Sequence, residues 1–139
     1  MPKKYVVTPW EVSGEIDYGK LIKEFGVKSL DDKILNRLEK HTKDLHYFLK
    51  RKIFFAHTYF DTILDRVEKG NKFYLYTGRA PSGPVHLGHL VPWIFCKWLQ
   101  DKFNVNLLFQ IPDEEKFLFN ESLTLEDTKK WADENILDI

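Results

Sequence analysis

Two histidines three residues apart, His86 and His89, enclose Leu87-Gly88 and follow the stretch Thr77-Gly78-Arg79-Ala80-Pro81-Ser82-Gly83-Pro84-Val85. At that spacing on a helical turn the two imidazoles share a face. There they can donate hydrogen bonds to phosphate oxygens as negative charge accumulates in a transition state. Gly88 has no side chain, so a flat base or a ribose could lie against the backbone. Arg79 adds a permanent cation whose fork geometry suits an α- or γ-phosphate. Gly78 and Gly83 have the spacing of a G-x-x-x-x-G-K-S phosphate loop, but Pro84-Val85 stands where Lys-Ser is required, and that loop is excluded. Two histidines without a third ligand or a glutamate base do not complete a zinc site, so no protein metal site is expected. The plainer alternative is a pair of ordinary helix-end histidines.

These residues need elements to hold them. Lys72-Phe73-Tyr74-Leu75-Tyr76-Thr77 is an aromatic run bounded by Asn71 and Gly78, which reads as a buried strand. An apolar helix is expected from about His86 to Phe103 with Asn104 as its stop, and a second strand over Val105–Ile111. Strand, glycine-bearing loop, helix and strand make a βαβ unit, and the loop falls where doubly wound sheets bind their ligands, at a helix N-terminus rich in free N–H groups. Both strands are nearly continuous apolar runs, as expected of parallel strands covered on both faces.

Upstream, Tyr5–Val12 alternates apolar and polar residues around Pro9 and reads as an edge strand or hairpin arm with Ser13-Gly14 as its turn. Asp17–Gly26 reads as a short helix stopped by glycine. Ser29 with Asp32 has capping-box spacing, and Leu30, Ile34, Leu35 and Leu38 form the stripe of the next helix. A further helical segment lies around Leu45–Leu49. Tyr59, Phe60, Ile63, Leu64 and Val67 form another stripe that Gly70 closes, and Thr124 with Asp127 caps a last helix. The fold class expected is α/β: a partial Rossmann-type doubly wound parallel sheet, with one βαβ unit preceded by a helical N-terminal region. Residues 1–70 form the hairpin and helical part, and residues 71–139 the first part of the Rossmann domain. Two strands are few against the five or six, roughly, of an open α/β domain.

Composition sets outer bounds. The chain has 139 residues, 43% hydrophobic and 30% charged, enough for one compact domain. Twenty-one basic and twenty-one acidic residues cancel, which argues against a dedicated polyanion binder. The cancellation hides an asymmetry: residues 1–79 carry a formal +5 and residues 80–139 a formal −5. Four Trp and eleven Phe supply a packed core, and the single Cys96 rules out an internal disulfide and fits a reducing compartment. The longest apolar run, Leu90–Cys96, is far short of the roughly 20 residues of a membrane span. A cytoplasmic domain without a membrane role is expected.

At this point the chain resembles a family. His86-Leu87-Gly88-His89 is similar to the His-Ile-Gly-His signature of class I aminoacyl-tRNA synthetases. The surroundings narrow the resemblance to tryptophanyl-tRNA synthetases of the archaeal and eukaryotic type. Val7-Thr8-Pro9-Trp10-Glu11-Val12, Ile53-Phe54-Phe55 with His57, and Phe73-Tyr74-Leu75-Tyr76-Thr77-Gly78-Arg79 carry it. So do Lys97-Trp98-Leu99-Gln100-Asp101, Phe103-Asn104-Val105, and Gln110 followed by Asp113-Glu114-Glu115-Lys116. The matches run in order over nearly the whole chain.

The resemblance implies activation of L-tryptophan by ATP, with Mg²⁺ accompanying the nucleotide, to give tryptophanyl-adenylate, followed by loading of tRNA(Trp). It implies ATP contacts at Gly78, Arg79, His86, Gly88 and His89, with His86, His89 and Arg79 catalytic. Tyr76, Gln110 and Glu115 fall where the family recognises tryptophan. An acceptor placed for the indole N–H penalises phenylalanine, which would leave it unpaired. The Pro9-Trp10 segment resembles a hairpin that closes over the ATP site.

Three departures stand beside it. Pro112 replaces a usual threonine, removing a hydroxyl and a backbone donor. Thr58-Tyr59-Phe60 follows His57 where an arginine-containing stretch is common, which leaves His57 without a clear role. Family members exceed twice this length and carry a Lys-Met-Ser-Lys-Ser signature and a helical anticodon-binding domain, neither of which occurs in these residues. An N-terminal portion with at most weak activity of its own is therefore expected. The alternatives are a non-catalytic module that binds a partner chain or a second copy, a tyrosine-specific relative, or a small nucleotidyltransferase.

Overall fold

The site-bearing unit forms around two parallel strands, β5 (Leu75–Gly78) and β6 (Leu107–Gln110), in register Leu75↔Leu107 through Gly78↔Gln110. The computed structural model describes residues 6–7, 12–13, 18–119 and 122–139. Helix α5 (Leu87–Phe103) joins the two strands, so the expected βαβ unit is present. It begins one residue after His86 and stops at Asn104, which takes the left-handed conformation (φ 48°) that asparagine tolerates. Phe73 packs edge-on against Phe103 at 5.2 Å and ties the start of β5 to the end of α5.

The strands are not covered on both faces. Burial alternates along each: Leu75, Thr77, Leu107 and Phe109 are half-buried, whereas Tyr76 and Leu108 are 63% and 52% exposed. Helix α5 packs on one face, and among the described residues nothing covers the other, where Tyr76 and Leu108 stand exposed. Apolar content alone does not distinguish a strand buried twice from one with a bare apolar face.

The N-terminal elements build a helical buttress. β1 (Val6–Val7) pairs antiparallel with β2 (Val12–Ser13), Val6 opposite Ser13, so Ser13 belongs to a paired strand rather than to the expected turn. The Pro9-Trp10 expectation lies outside the described residues. α1 (Tyr18–Glu24) is followed by Gly26 at φ 63°, as its glycine predicts.

Ser29 is not a helix cap. It belongs to β3 (Lys28–Ser29), paired antiparallel with β4 (Ala56–His57), and α2 (Asp32–Thr42) is instead capped by Asp31. The Asp31 carboxylate accepts from the Ile34 N–H at 2.9 Å, where its charge also faces the positive end of the helix dipole. Asp31→Ala is accordingly expected to cost about 1 kcal/mol in urea unfolding, against less than about 0.5 for Ser29→Ala.

α3 (Tyr47–Lys50) is capped by the buried His46, whose Nδ1 accepts from Phe48 N–H at 3.2 Å. α4 (Phe60–Glu68) starts after Tyr59, an exposed left-handed residue that gives no side-chain cap. The His57 Nδ1 caps it instead, accepting from Phe60 N–H at 3.0 Å, so His57 has a structural role. Ile34, Leu38, Leu49 and Leu64 form the core, and Phe95, Trp98 and Phe103 of α5 pack against it. The core thus draws on residues from both sides of position 70. After β6 come α6 (Asp113–Phe119) and α7 (Leu125–Asp138), the latter closed by the expected Thr124–Asp127 capping box.

Candidate functional site

The loop from β5 to α5 is anchored first at Gly78. Its neighbour Arg79 donates its N–H to the Gln110 carbonyl at 2.9 Å. A Cβ at Gly78 would lie 2.7 Å from that same oxygen, closer than atoms can approach. Glycine therefore lets the ends of the two strands meet, and it leaves bare backbone beside Gln110 on the uncovered face.

Arg79 then braces the loop. Its Nε donates to Asn135 Oδ1 at 3.1 Å, and its Nη2 to the carbonyls of Gly83 and Pro84, each at 3.3 Å. Burial lowers its pKa without threatening its charge. The cation expected to meet a phosphate thus uses Nε and Nη2 on the protein itself; the described residues offer no acceptor to Nη1. Pro81, inside this loop, is fully buried.

His86 and His89 come together as expected, with ring centroids 3.7 Å apart. Their orientation follows from the helix end they cap. His86 Nδ1 accepts from Gly88 N–H at 3.2 Å, and His89 Nδ1 accepts from His86 N–H at 3.1 Å. With both Nδ1 atoms acting as acceptors, the proton of each neutral ring must sit on Nε2. The pair therefore offers two Nε2–H donors. Gly88 matters here as well: a Cβ there would stand 3.1 Å from Nδ1 and Cε1 of His86 and push that ring off its cap.

His89 also stacks on Trp93 at 6.0 Å, and Trp93 meets Phe109 edge-on at 5.2 Å, which ties the imidazole through the core to β6. The His86 ring does not point into packed hydrocarbon, whereas His89 is half-buried against Trp93. His86 is exposed, and a crevice of about 340 Å³ lined by Val85, His86, Leu87, Leu90 and Asp138 opens beside it.

Burial, helped by the charge of Arg79 and by His86, lowers the pKa of His89, and burial lowers that of His46 against the opposing pull of Asp44. Both bind a proton less well folded than unfolded. Their contribution to stability is therefore complete above about pH 6.5 and is lost as pH falls through the lower folded values. An NMR titration of the imidazoles is expected to show His46 and His89 half-protonated below pH 6.5; midpoints above that value would contradict the packing described.

Tyr76 and Gln110 share the uncovered face of the β5–β6 pair, with Gly78 two residues beyond Tyr76 and opposite Gln110. Glu115 stands apart on the first turn of α6, exposed, together with Asp113 and Glu114. Acids there are also favoured by the helix dipole, so Glu115 has a local reason to be present. Among the described residues no group of three or more His, Cys, Asp or Glu could hold a metal ion. No helix among the described residues is long and apolar enough to cross a membrane.

Sequence reasoning missed Trp93 and Asn135. Asn135 is fully buried and lies on one face of α7 with the buried Thr128 and Ala132. A polar residue at a helix-spaced core position was the available signal.

Comparison with known proteins gives a consistent picture. The model of the family described as tRNA synthetases class I (W and Y) matches residues 68–135. Tryptophan–tRNA ligase of Pyrococcus furiosus is 56% identical over an alignment that covers 100% of this chain and 36% of that protein. The enzyme of the same name from Saccharolobus solfataricus is 50% identical, covering 100% and 37%. Among solved structures, tryptophanyl-tRNA synthetase of Plasmodium falciparum superposes with a TM-score of 0.83 at 46% identity, over 87% of this chain and 34% of the other. That of Encephalitozoon cuniculi, bound to tryptophan, gives 0.81 at 44% identity over 88% and 34%. This chain spans about a third of the length of the curated relatives it matches.

Proposed function

From the premise that this chain belongs to the class I tRNA synthetases for tryptophan and tyrosine, as an N-terminal portion of the tryptophanyl type, we propose that it binds ATP and L-tryptophan for adenylate formation. In that reaction an oxygen of the tryptophan carboxylate attacks the α-phosphorus. The bond from that phosphorus to the bridging oxygen breaks, and pyrophosphate leaves with the electron pair. No base is required, because the nucleophile is already ionised. Positioning and stabilisation of phosphate charge are what the protein must supply.

One observation carries the reading: both imidazoles are locked by backbone N–H groups into the tautomer that presents Nε2–H. Two such donors at the start of a helix, with its positive dipole end, suit a phosphate whose charge rises during attack. His86 and His89 are the catalytic residues in this reading. Gly78 and Gly88 let the nucleotide approach the backbone. Arg79 holds the loop and has Nη1 left for phosphate. Tyr76, Gln110 and Glu115 receive the amino acid, the two former from the uncovered sheet face. Magnesium arrives with ATP. Residues 1–70 act as buttress and residues 71–139 carry the site.

Transfer of tryptophan to tRNA(Trp) in the cytoplasm is proposed for the full-length relatives' architecture. These residues alone are proposed to turn over weakly, since they contain no lysine-rich second signature to neutralise pyrophosphate. Calorimetric titration tests the binding claim. Saturable heats are expected for magnesium–ATP and for tryptophan, and flat traces for both would contradict it.

The exposed Tyr74 and Leu108 favour one addition, a second copy laid on the open sheet face. Sedimentation over a range of concentrations is expected to show self-association, and a concentration-independent monomer would contradict this addition.

A further inference from the structure

We propose that Asn135 is a positioning residue for the β5–α5 loop, closing a hydrogen-bonded ring with Arg79 and Gly83 that sets where His86 and His89 stand. The inference deepens the ATP-binding reading above and rests on it for its functional consequence.

Asn135 sits in the last part of α7 and is fully buried. The buried Thr128 on the same face satisfies its hydroxyl within its own helix, on the Leu125 carbonyl at 3.0 Å. Asn135 instead reaches out of its helix to two residues 56 and 52 positions earlier. Its Oδ1 accepts from Arg79 Nε at 3.1 Å, and its Nδ2 donates to the Gly83 carbonyl at 3.1 Å. Arg79 Nη2 donates to that same carbonyl at 3.3 Å, which completes the ring.

The chemistry admits one amide orientation. A guanidinium has no acceptor and a carbonyl has no donor, so Oδ1 must face Arg79 and Nδ2 must face Gly83. A buried amide is costly unless both of its ends are satisfied, and an apolar residue of the same volume would pack there without that cost. The position therefore demands a donor and an acceptor at once. Gly83 is three residues before His86, and the carbonyl of intervening Pro84 is held by the same guanidinium. The ring thus fixes the chain just before it enters the capping turn that orients both imidazoles. Asn135 acts through Arg79 and Gly83, and no contact of its own with a nucleotide is claimed.

The test compares the 139-residue chain with Asn135→Ala, Asn135→Asp and, as a helix control, Leu137→Ala, whose side chain is 87% exposed. Each protein is titrated with magnesium–ATP and with tryptophan, and the ligand-free ¹⁵N imidazole resonances are recorded. Asn135→Ala is expected to shift the His86 and His89 resonances, to weaken ATP at least about tenfold and to change tryptophan affinity less than about twofold. Asn135→Asp keeps an acceptor for Arg79 and loses the donor to Gly83, so the same selective loss is expected, and it serves if the alanine variant does not fold.

Unmoved imidazole resonances in a folded variant would overturn the proposal. So would equal losses of ATP and tryptophan affinity, or unfolding of both variants, since each marks a purely structural role. If the unaltered chain takes up no ATP, the ATP-binding reading fails by itself, and the imidazole comparison still decides whether Asn135 positions the pair.

Discussion

Gly78→Ala is expected to lower the unfolding free energy by about 3 kcal/mol, the upper end of the usual cost of overpacking. The added Cβ would meet the Gln110 carbonyl oxygen at 2.7 Å. That oxygen is main chain and is already held by the Arg79 N–H at 2.9 Å. It cannot swing away like the tip of a long side chain, so the strand ends must separate, and the Arg79 N–H bond goes with them. Gly83→Ala is the matched comparison. A Cβ at Gly83 finds nothing within 4 Å, so its cost is expected to stay within about 0.5 kcal/mol. Urea unfolding followed by tryptophan fluorescence separates the two cases. Equal stabilities for both variants would show that β5 and β6 do not approach as described.

His89→Ala is expected to weaken ATP binding by about ten- to a hundredfold, the equivalent of one hydrogen bond to a charged group at roughly 1.5–3 kcal/mol. The substitution removes an Nε2–H donor from the helix start and also removes the acceptor that caps the His86 N–H. Loss of that cap alone should cost stability by about 1 kcal/mol. Tryptophan affinity should change little, because the residues assigned to it lie on the sheet face and α6. Calorimetry with each ligand in turn reads the difference. A parallel loss for ATP and tryptophan would point to general disruption of the loop rather than to a lost phosphate donor.

Features closed within a few residues were legible in the sequence. The start of α5 at His86, its stop at Asn104 and the Thr124–Asp127 box all follow from short-range capping, and the structure places them there. The βαβ order was legible for the same reason, since each element carries its own boundary residues. β3 and β4, at two residues each, are too short to display any periodicity, and Ser29 therefore looked like a cap. Asp31, two residues later, has the same capping chemistry with a charge added.

His57 illustrates a different limit. Its neighbours Thr58 and Tyr59 obscured a role that is local and structural, a ring capping α4 from three residues away because Tyr59 offers no side-chain bond. The open face of the sheet was hidden because Leu108 and the aromatic rings of Tyr74 and Tyr76 are residue types equally common in buried strands. The Asn135 ring was hidden by distance along the chain: nothing near Arg79 shows that its partner stands 56 residues on. Of the expected site residues, the histidine pair was legible down to its spacing. That Arg79 braces its own loop was not.

On the proposed function, His86 and His89 present Nε2–H donors to a phosphate. The most direct measurement is magnesium–ATP titrated into ¹⁵N-histidine-labelled protein, with the imidazole N–H resonances of all five histidines followed. The Nε2–H signals of His86 and His89 are expected to move downfield and become protected from solvent exchange, while those of His41, His46 and His57 stay in place. Saturating ATP that leaves the His86 and His89 signals where they were would contradict the proposed function.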